Sequence, residues 1–305
     1  MKYYSLANGT ISASAVSLGC MRLGGKSQSE AEAVLRTAID CGINFFDHAD
    51  IYGGGYCEEL FGCVLKDTPS LRDRMLLQTK CGIRNGFYDS SYEHIVSSLE
   101  KSLSRLGTEY VDVLLIHRPD ALAEPEEIAR AFDKLYTDGK VKYFGVSNHN
   151  PRQIELLRQV CNQPILFNQL QFSPTNSTMV DAGINVNTAF DGAVDRDGGV
   201  LDYCRMNKIT IQPWSPFQHG FFGGTFLGNE SYAALNASLA KVADAHGITP
   251  TGAVIAWILR HPAAMQPIVG TMNPDRIREI ASAADVTISR EEWYEIYRSA
   301  SHTLP

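Results

Sequence analysis

Four polar side chains that could transfer protons follow short apolar runs of the sequence. Asp47 and Tyr52 lie in NFFDHADIYG, Lys80 ends MLLQTK, and His117 ends VDVLLIH. A neighbouring ammonium group should lower the pKa of Tyr52, and a carboxylate can hold that ammonium charged and in place. A histidine beside the hydroxyl could orient a carbonyl oxygen and stabilise negative charge on it. The residues therefore indicate proton delivery to a carbonyl that accepts a hydride, which a nicotinamide cofactor usually supplies.

The elements that must bring these residues together alternate between short apolar runs and longer amphipathic segments. Almost continuously apolar runs indicate parallel strands covered on both faces, and their alternation with helices implies βαβ units. Eight such strands favour an α/β fold, the (β/α)8 TIM barrel, in which active sites lie at the C-terminal ends of the strands. The predicted strands span residues 15–19, 44–48, 75–80, 111–117, 142–147, 165–170, 210–214 and 266–269.

Caps and apolar spacing predict helices between these strands. Ser29 is expected to cap the helix EAEAVLRTAIDC, and Gly42 to end it. Segment 91–107 carries apolar residues at a spacing of three to four, which predicts a helix with one buried face. Asn273 followed by Pro274 is the pattern of an N-cap and a first helical residue.

Three segments lie outside a minimal barrel. YYSLANGTISAS predicts an N-terminal β-hairpin with Asn8-Gly9 at its turn, which would cap one end of the barrel. SREEWYEIYRSA predicts an extra C-terminal helix, with Ser289 as N-cap and Glu292 at the capping-box position. The stretch 173–197, rich in Asn, Asp and Gly, is either a functional loop or a surface excursion.

The composition favours a single domain over residues 1–305 and argues against several partners. The chain is 44% hydrophobic and 20% charged, and its net charge is −7 without clusters of basic residues. Nucleic-acid and membrane surfaces select for such clusters, so neither partner is expected. Seven cysteines never form a C-x-x-C pair, and we see neither a signal peptide nor an apolar run of about 18 residues. We therefore expect a cytoplasmic protein with reduced thiols, as a monomer or a small homo-oligomer.

Seven motifs in order extend this interpretation along the chain. They are FFDHADIYG, LLQTKCG, LLIHRPD, YFGVSN, FNQLQFSP, PWSPF and IVGTMNPDRIRE. Together they resemble the aldo-keto reductase family over essentially the whole chain. Within that family, NVNTAFDGAVDRDGGVLDYCR is similar to the bacterial oxidoreductases of the YdhF type.

The resemblance implies an NADPH-dependent reductase that converts an aldehyde or ketone to an alcohol. It implies that Asp47, Tyr52, Lys80 and His117 form the catalytic tetrad, with Tyr52 as general acid in reduction. It also implies that the cofactor lies extended across the barrel mouth, without a Rossmann glycine segment. Gly53-Gly54-Gly55 is interpreted as a flexible loop.

The same resemblance assigns the residues that would hold the cofactor. Ser147, Asn148 and Gln169 would bind the nicotinamide carboxamide, and Trp214 would stack on the ring. Segment 215–220 would run beside the pyrophosphate. Thr271, Asn273 and Arg276 would meet the 2′-phosphate, and Glu279 the adenine amine. The full implied cofactor set is Met21, Arg22, Asp47, Ser147, Asn148, Gln169, Trp214, Ser215, Pro216, Phe217, Gly220, Gly270, Thr271, Met272, Asn273, Arg276 and Glu279.

Alternatives to this interpretation remain at the level of sequence. Many NADPH-using relatives carry a lysine where this chain has Gly270, so use of NADH stays open. A non-catalytic NADPH-binding regulatory subunit, like the potassium-channel β-subunits that resemble this family, is a second class of function. A metal-dependent hydrolase using Asp47 is a third, although His48 and His117 lack matched ligands for a metal site.

The substrate side of the site is less specific in sequence. Arg22 and Arg118 could favour an anionic substrate, although Arg118 could equally form a surface salt bridge. An apolar substrate pocket could be lined by Met21, Tyr52, Phe87, Tyr88, Trp214 and Phe217.

Overall fold

A ring of eight parallel strands forms the centre of the computed structural model, which describes residues 1–6 and 9–305. The strands follow one another around the ring in chain order, so each neighbour is the next strand along the chain. They are β3 Ser17–Gly19, β4 Phe45–Asp47, β5 Leu76–Cys81, β6 Val111–Ile116, β7 Val141–Ser147, β8 Ile165–Gln171, β9 Thr210–Trp214 and β10 Ile268–Val269. Each coincides with a predicted strand to within two residues, and the predicted (β/α)8 barrel is confirmed.

The ring is nearly closed. The β10 strand pairs with β3, and on its other side Gln266 N donates to Ile211 O at 3.0 Å. Register places Gly19 beside Asp47 and Asp47 beside Gln78. Polar residues of neighbouring strands therefore lie side by side near one end of the barrel.

Helices surround the strands, as βαβ units require. Their caps explain most of their boundaries: Ser91 caps the helix Tyr92–Leu106, Gly107 ends it with φ 64°, and Asn273 caps the helix Pro274–Ala283. The helices are α1 Gln28–Asp40, α2 Tyr56–Asp67, α3 Tyr92–Leu106, α4 Pro125–Thr137, α5 Pro151–Arg158, α6 Thr178–Ile184, α7 Val200–Met206, α8 Ala233–His246, α9 Pro250–Leu259, α10 Pro274–Ala283 and α11 Arg290–Ser299.

The predicted cap of α1 is wrong by two residues. Ser27, not Ser29, accepts from Glu30 N at 3.3 Å, and Ser27 N donates to the Glu30 carboxylate at 2.8 Å. Both serines have a glutamate three residues later, but only Glu30 forms the reciprocal pair, whereas Glu32 accepts from Arg36 Nε at 2.7 Å. Gly42 follows the end of this helix with φ 84°, as expected.

The two terminal additions to the barrel are present. Strands β1 Tyr3–Leu6 and β2 Ile11–Ser14 pair antiparallel, while Asn8 of the predicted turn lies outside the described residues. At the other terminus, Ser289 and Glu292 form the predicted capping box of α11. The Trp293 ring of this helix stacks on the Trp257 ring of α9 at a centroid distance of 5.0 Å.

Stretch 173–197 leaves the barrel and contains α6 and a short 3-10 turn at Asp191–Ala193. The C-terminal segment holds it, since Tyr297 Oη donates to Asp181 Oδ1 at 2.8 Å and the His302 ring lies 2.6 Å from Pro174 O. Among the described residues, the helices are all too short or too polar to cross a membrane.

Candidate active site

A buried lysine organises the polar residues at the barrel end. Lys80 Nζ lies 2.8 Å from the Asp47 carboxylate, 2.7 Å from His48 O and 3.1 Å from Tyr52 Oη. These three acceptors use all three donors of the ammonium group, whose side chain is fully buried. Because Lys80 donates to Tyr52 Oη, the phenol proton remains free to be donated elsewhere.

The backbone before α2 positions Tyr52. The residue begins a 3-10 turn, Tyr52–Gly55, in which Gly53, Gly54 and Gly55 have φ values of 60°, 67° and 100°. Residues that carry a Cβ rarely adopt this left-handed backbone conformation, least of all three in succession. The glycine run is therefore needed to turn the chain into the helix. The run interpreted as a flexible loop therefore forms a defined turn.

Burial and charge act in opposite directions on the pKa of Tyr52. Burial raises it, and Asp47 raises it further, while the Lys80 ammonium and its hydrogen bond lower it. The net shift is upward, so the expected lowering of this pKa by Lys80 is outweighed by burial. Burial alone would lower the pKa of Lys80, but Asp47 and Tyr52 raise it above its ordinary value. At neutral pH the arrangement therefore contains a protonated phenol beside a charged ammonium.

His117 faces Tyr52 across the site. The two ring centroids lie 5.9 Å apart, and the ring planes are nearly perpendicular. Burial, with the positive charges of Lys80 and Arg118, holds the pKa of His117 well below its ordinary value. The imidazole is therefore neutral at neutral pH, and can donate one N–H to a carbonyl oxygen.

A chain of buried glutamines supports Asp47 from within the barrel. Gln78 Nε2 and Gln169 Nε2 donate to Asp47 Oδ1 at 2.6 and 3.0 Å. Gln78 also donates to Gln212 Oε1, and Gln212 donates to Gln266 Oε1, both at 3.0 Å. Sequence reasoning identified Gln169 but missed the other three. The available signal was polar glutamine within otherwise apolar strands that end at the site.

An elongated cavity of about 1170 Å³ opens above these residues. Of the predicted catalytic residues, Asp47, Tyr52 and His117 line it, while Lys80 lies behind Tyr52. Of the predicted cofactor set, Gly220 and Glu279 are not among the lining residues, and Thr249 Oγ1 donates to the Glu279 carboxylate at 3.3 Å. Phe87, expected at the substrate pocket, also lies outside the lining. The cofactor-set residues that line the cavity are Met21, Arg22, Asp47, Ser147, Asn148, Gln169, Trp214, Ser215, Pro216, Phe217, Gly270, Thr271, Met272, Asn273 and Arg276.

Several lining residues were not predicted. Lys26 follows the turn after β3, and Thr251 lies at the start of α9. Phe221 and Phe222 belong to the segment after β9 and are 68% and 53% exposed. They therefore form an exposed aromatic rim of the cavity rather than part of the core. The sequence carries no periodic signal for them. Gln218, within the predicted segment 215–220, also lines the cavity. The further lining residues that were not predicted are Gly19, Ile51, Gly53, Ile83, Gly224, Thr225, Leu227, Ile268 and Ile280.

One part of the cavity wall presents amide and hydroxyl groups with a strained backbone. Asn148 Nδ2 donates to Ser147 Oγ at 2.8 Å, and Trp214 Nε1 donates to Asn148 Oδ1 at 3.1 Å. Asn148 and Ser215 have φ values of 59° and 52°, a conformation that costs energy outside glycine and is common at functional sites. Gln169 uses its Nε2 on Asp47, which leaves Oε1 as the acceptor that an amide ligand could meet.

Another part of the wall fits an anionic group. Asn273 Oδ1 accepts from Asp275 N at 2.8 Å at the start of α10, whose N-terminus favours negative charge. The backbone N of Arg276 donates to Asn273 Oδ1 at 3.4 Å, but its guanidinium has neither a hydrogen-bond partner nor an ion pair among the residues that the structure describes. Beside it, Arg22 Nη1 donates to Gly270 O at 3.3 Å. These cationic donors and the helix N-terminus suit the phosphate groups of a nucleotide cofactor.

No cluster of three or more potential metal ligands occurs in the described residues. All seven cysteines lie within the described residues and are free thiols.

Comparison with known proteins agrees with this geometry. The sequence profile of the Aldo/keto reductase family matches residues 15–300. The chain is 37% identical to 6-dehydroglucose reductase of Agrobacterium fabrum, over 90% of this chain and 89% of that protein. It is 34% identical to oxidoreductase YdhF of Escherichia coli, over 86% of this chain and 84% of that protein.

A solved structure shows the same architecture. The thermostable aldo-keto reductase Tm1743, crystallised with the inhibitor epalrestat, superimposes with a TM-score of 0.79 at 27% identity. The superposition covers 98% of this chain and 100% of that one. The family profile covers most of the chain, and curated relatives exceed 30% identity over most of their length. The chain is therefore a member of the aldo/keto reductase family, an oxidoreductase built on a (β/α)8 barrel.

Proposed function

We propose that the protein reduces an aldehyde or ketone to an alcohol with NADPH as the hydride donor. The observation that carries this proposal is the placement of the Lys80 ammonium between Asp47 and Tyr52 Oη, beneath a cavity lined by His117. The reductase name of the Agrobacterium fabrum relative supports the reductive direction.

In the proposed mechanism, Tyr52 is the general acid. A carbonyl oxygen in the cavity accepts the phenol proton of Tyr52 and a hydrogen bond from the neutral His117 ring. Lys80 stabilises the phenolate that remains, and Asp47 keeps Lys80 charged. General acid catalysis of this kind typically contributes about 10²–10⁴-fold to the rate. A bound nicotinamide supplies the hydride.

The same cavity would hold the cofactor. Ser147, Asn148 and Gln169 would bind the carboxamide, and the Trp214 indole would stack on the ring. Arg276, with Thr271, Asn273 and the start of α10, would bind the 2′-phosphate that distinguishes NADPH from NADH. Because Arg276 has no acidic partner among the described residues, its charge is available for that phosphate. Seven free thiols fit a reducing compartment, so a cytoplasmic location is part of this proposal.

The cofactor proposal is tested by titrating the purified protein with NADPH and NADH and following tryptophan fluorescence. Of the three tryptophans, Trp214 lines the cavity, whereas Trp257 and Trp293 stack on each other away from it. We expect quenching that saturates at lower NADPH than NADH concentration, and that is greatly reduced in Trp214→Phe. Absence of binding for both cofactors would refute the proposal.

The reaction is tested by oxidation of NADPH in the presence of a panel of aldehydes and ketones. We expect oxidation that depends on the carbonyl compound and yields one alcohol per NADPH consumed. Tight NADPH binding without turnover of any member would favour a cofactor-binding protein without reductase activity.

A further inference from the structure

The charged residues of the cavity are mostly basic, although the whole chain has a net charge of −7. Among the lining residues that the structure describes, the one acidic side chain is Asp47, which is paired with Lys80. A neutral ligand gives no electrostatic reason for such an excess. The basic lining residues are Arg22, Lys26, Arg118 and Arg276.

Three of these four residues lie on the side of the cavity where the cofactor phosphates are proposed, and one of them, Lys26, pairs with Glu30 at 3.2 Å. Arg22 and Lys26 follow β3, and Arg276 lies on the helix after β10, the strand that pairs with β3. Arg118 follows β6, which is four positions from β10 in either direction around the eight-stranded ring. The backbone of Arg118 is therefore on the opposite side of the barrel mouth, next to His117, and its guanidinium extends toward Trp214 at the end of β9.

Arg118 has no partner for its charge in the part of the chain that the structure describes. Asp120, two residues along the chain, accepts from Ser90 N and Leu122 N, both at 2.9 Å, and forms no ion pair with Arg118. The salt bridge that the sequence allowed for Arg118 is therefore absent from the described residues.

Aromatic rings hold the Arg118 guanidinium at the cavity. Its Cζ lies 6.0 Å from the Trp214 ring centroid and 5.7 Å from the Phe221 ring centroid. Phe222 also stacks on Trp214, with centroids 5.9 Å apart. A ligand that fills this aromatic region would remove water from Arg118, and a desolvated charge is unfavourable unless an opposite charge or strong acceptor meets it.

We propose that the substrate is an aldehyde or ketone that carries a carboxylate, which Arg118 binds. The planar guanidinium matches the two oxygens of a carboxylate, and the apolar body of the substrate would contact Trp214, Phe221 and Phe222. This inference rests on the proposed reductase function, because it places the carbonyl at Tyr52 and His117.

The test compares 4-carboxybenzaldehyde with its neutral methyl ester as substrates for the wild-type protein and for Arg118→Met. Comparing each substrate between proteins cancels the intrinsic difference in reactivity between the two aldehydes. We expect Arg118→Met to lower kcat/KM for the carboxylate by about 10- to 100-fold and for the ester by less than about threefold. Arg118→Lys should recover part of the loss, because it restores the charge without the bidentate geometry.

Controls separate a local effect from a general change in charge or fold. Arg130→Met removes one positive charge on α4, where the Arg130 guanidinium lies 4.7 Å from the Tyr92 ring centroid. This variant should leave kcat/KM unchanged for both substrates. Arg118→Met should keep the wild-type ratio of the Kd values for NADPH and NADH, since that ratio is proposed to depend on Arg276 and not on Arg118.

Each remaining outcome overturns the inference. Equal losses of kcat/KM for the carboxylate and the ester would show that Arg118 has a structural role in the site. No loss of kcat/KM for either substrate would show that Arg118 does not bind the substrate. If Arg118→Met lowered kcat/KM for glyceraldehyde, a neutral polyhydroxy aldehyde, by more than for 4-carboxybenzaldehyde, Arg118 would bind substrate hydroxyl groups instead of a carboxylate. Turnover of both the carboxylate and the ester without dependence on Arg118 would refute the carboxylate site and leave the reductase proposal intact, whereas turnover of no carbonyl compound would refute both.

Discussion

Two opposing influences set the pKa of Tyr52 and thereby determine whether its phenol is protonated at neutral pH. Burial raises the pKa of this phenol, and the Lys80 ammonium, 3.1 Å from the hydroxyl, partly opposes that rise. A raised pKa keeps the phenol protonated at neutral pH, which is the form that the proposed general acid requires. In the proposed mechanism, Lys80 would then stabilise the phenolate that forms during the reaction rather than ionise the phenol beforehand.

Cofactor preference is predicted to depend on Arg276. Arg276→Ala should raise the Kd for NADPH by about 10- to 100-fold, because a charge-assisted contact to phosphate is lost, and change the Kd for NADH by less than about threefold. Arg278→Ala is the matched control, since Arg278 lies on the same helix but pairs with Asp275 at 2.7 Å. Fluorescence titration measures both constants. Equal weakening of NADPH and NADH binding would show that Arg276 does not bind the 2′-phosphate.

The residues of the site differ in how well sequence could predict them. Asp47, Lys80 and His117 each end or follow an apolar run, so the strand-end rule of barrels brings them together without a structure. Gln78 and Gln212 lie inside strands and Gln266 lies two residues before β10. Only the alignment of neighbouring strands shows that their amides meet, as in the pairing of Gln169 with Gln212. The strained φ of Asn148 also has no signature in the sequence.

At the scale of elements, helix α2 follows the Tyr52 turn directly and is packed very closely against α3. A Cβ built on Gly62 would lie 2.1 Å from Arg105 O. Glu58, fully buried on α2, accepts from Arg105 Nε at 2.8 Å and from Thr79 Oγ1 at 2.6 Å. These contacts join α2, α3 and β5, the strand that carries Lys80, so helix packing supports the catalytic geometry.

The close helix approach predicts a large effect of Gly62→Ala. The added methyl would force the two helices apart, which should lower the free energy of unfolding by about 2–4 kcal/mol. Gly183→Ala on α6 is the control, because a Cβ there has no atom within 4 Å and should change stability by less than about 1 kcal/mol. Urea unfolding followed by circular dichroism measures both. A Gly62→Ala protein as stable as wild type would show that α2 and α3 are not held this closely in solution.

Element positions were more predictable than element ends. Continuous apolar runs located all eight barrel strands because both faces of a parallel strand are buried. The α1 cap was misplaced because Ser27 and Ser29 each have a glutamate three residues later, Glu30 and Glu32, so the capping-box spacing does not distinguish them. Helix α6 was missed within stretch 173–197, since it has seven residues and no apolar periodicity of useful length.

At the scale of the whole molecule, stability should depend on a carboxyl group outside the catalytic set. Burial, and then the charge of Glu58, raises the pKa of Asp50 to about 6 from an ordinary value of 3.8. A carboxyl with a raised folded-state pKa binds its proton more tightly when folded. It therefore lowers stability progressively as pH rises from about 4 to above 6.

Asp50→Asn is predicted to remove that pH dependence. The variant should gain stability relative to wild type between pH 5 and pH 8, by up to about 2 kcal/mol, because wild type must ionise a buried group over this range. Chemical unfolding of both proteins at several pH values measures the difference. Any constant packing effect of the substitution cancels in this comparison, and a difference that does not change with pH would contradict the shifted pKa.

The domain organisation of residues 1–305 is also proposed at this scale. The buried apolar residues form one connected cluster that includes the hairpin, the barrel and α11, so we propose one cooperative domain. Oligomeric state and substrate lie beyond sequence patterns, because both depend on surface and loop shape rather than on the periodicity that specifies a core.

The central claim is that Tyr52 donates the proton to a carbonyl reduced by NADPH. The most direct measurement is kcat for reduction of one aldehyde by wild type and Tyr52→Phe, with NADPH affinity measured on the same samples. Tyr136→Phe, an exposed tyrosine on α4, controls for loss of a phenol hydroxyl elsewhere. We expect Tyr52→Phe to lower kcat by at least about 100-fold with unchanged NADPH affinity, and Tyr136→Phe to match wild type. Wild-type turnover by Tyr52→Phe would contradict the account.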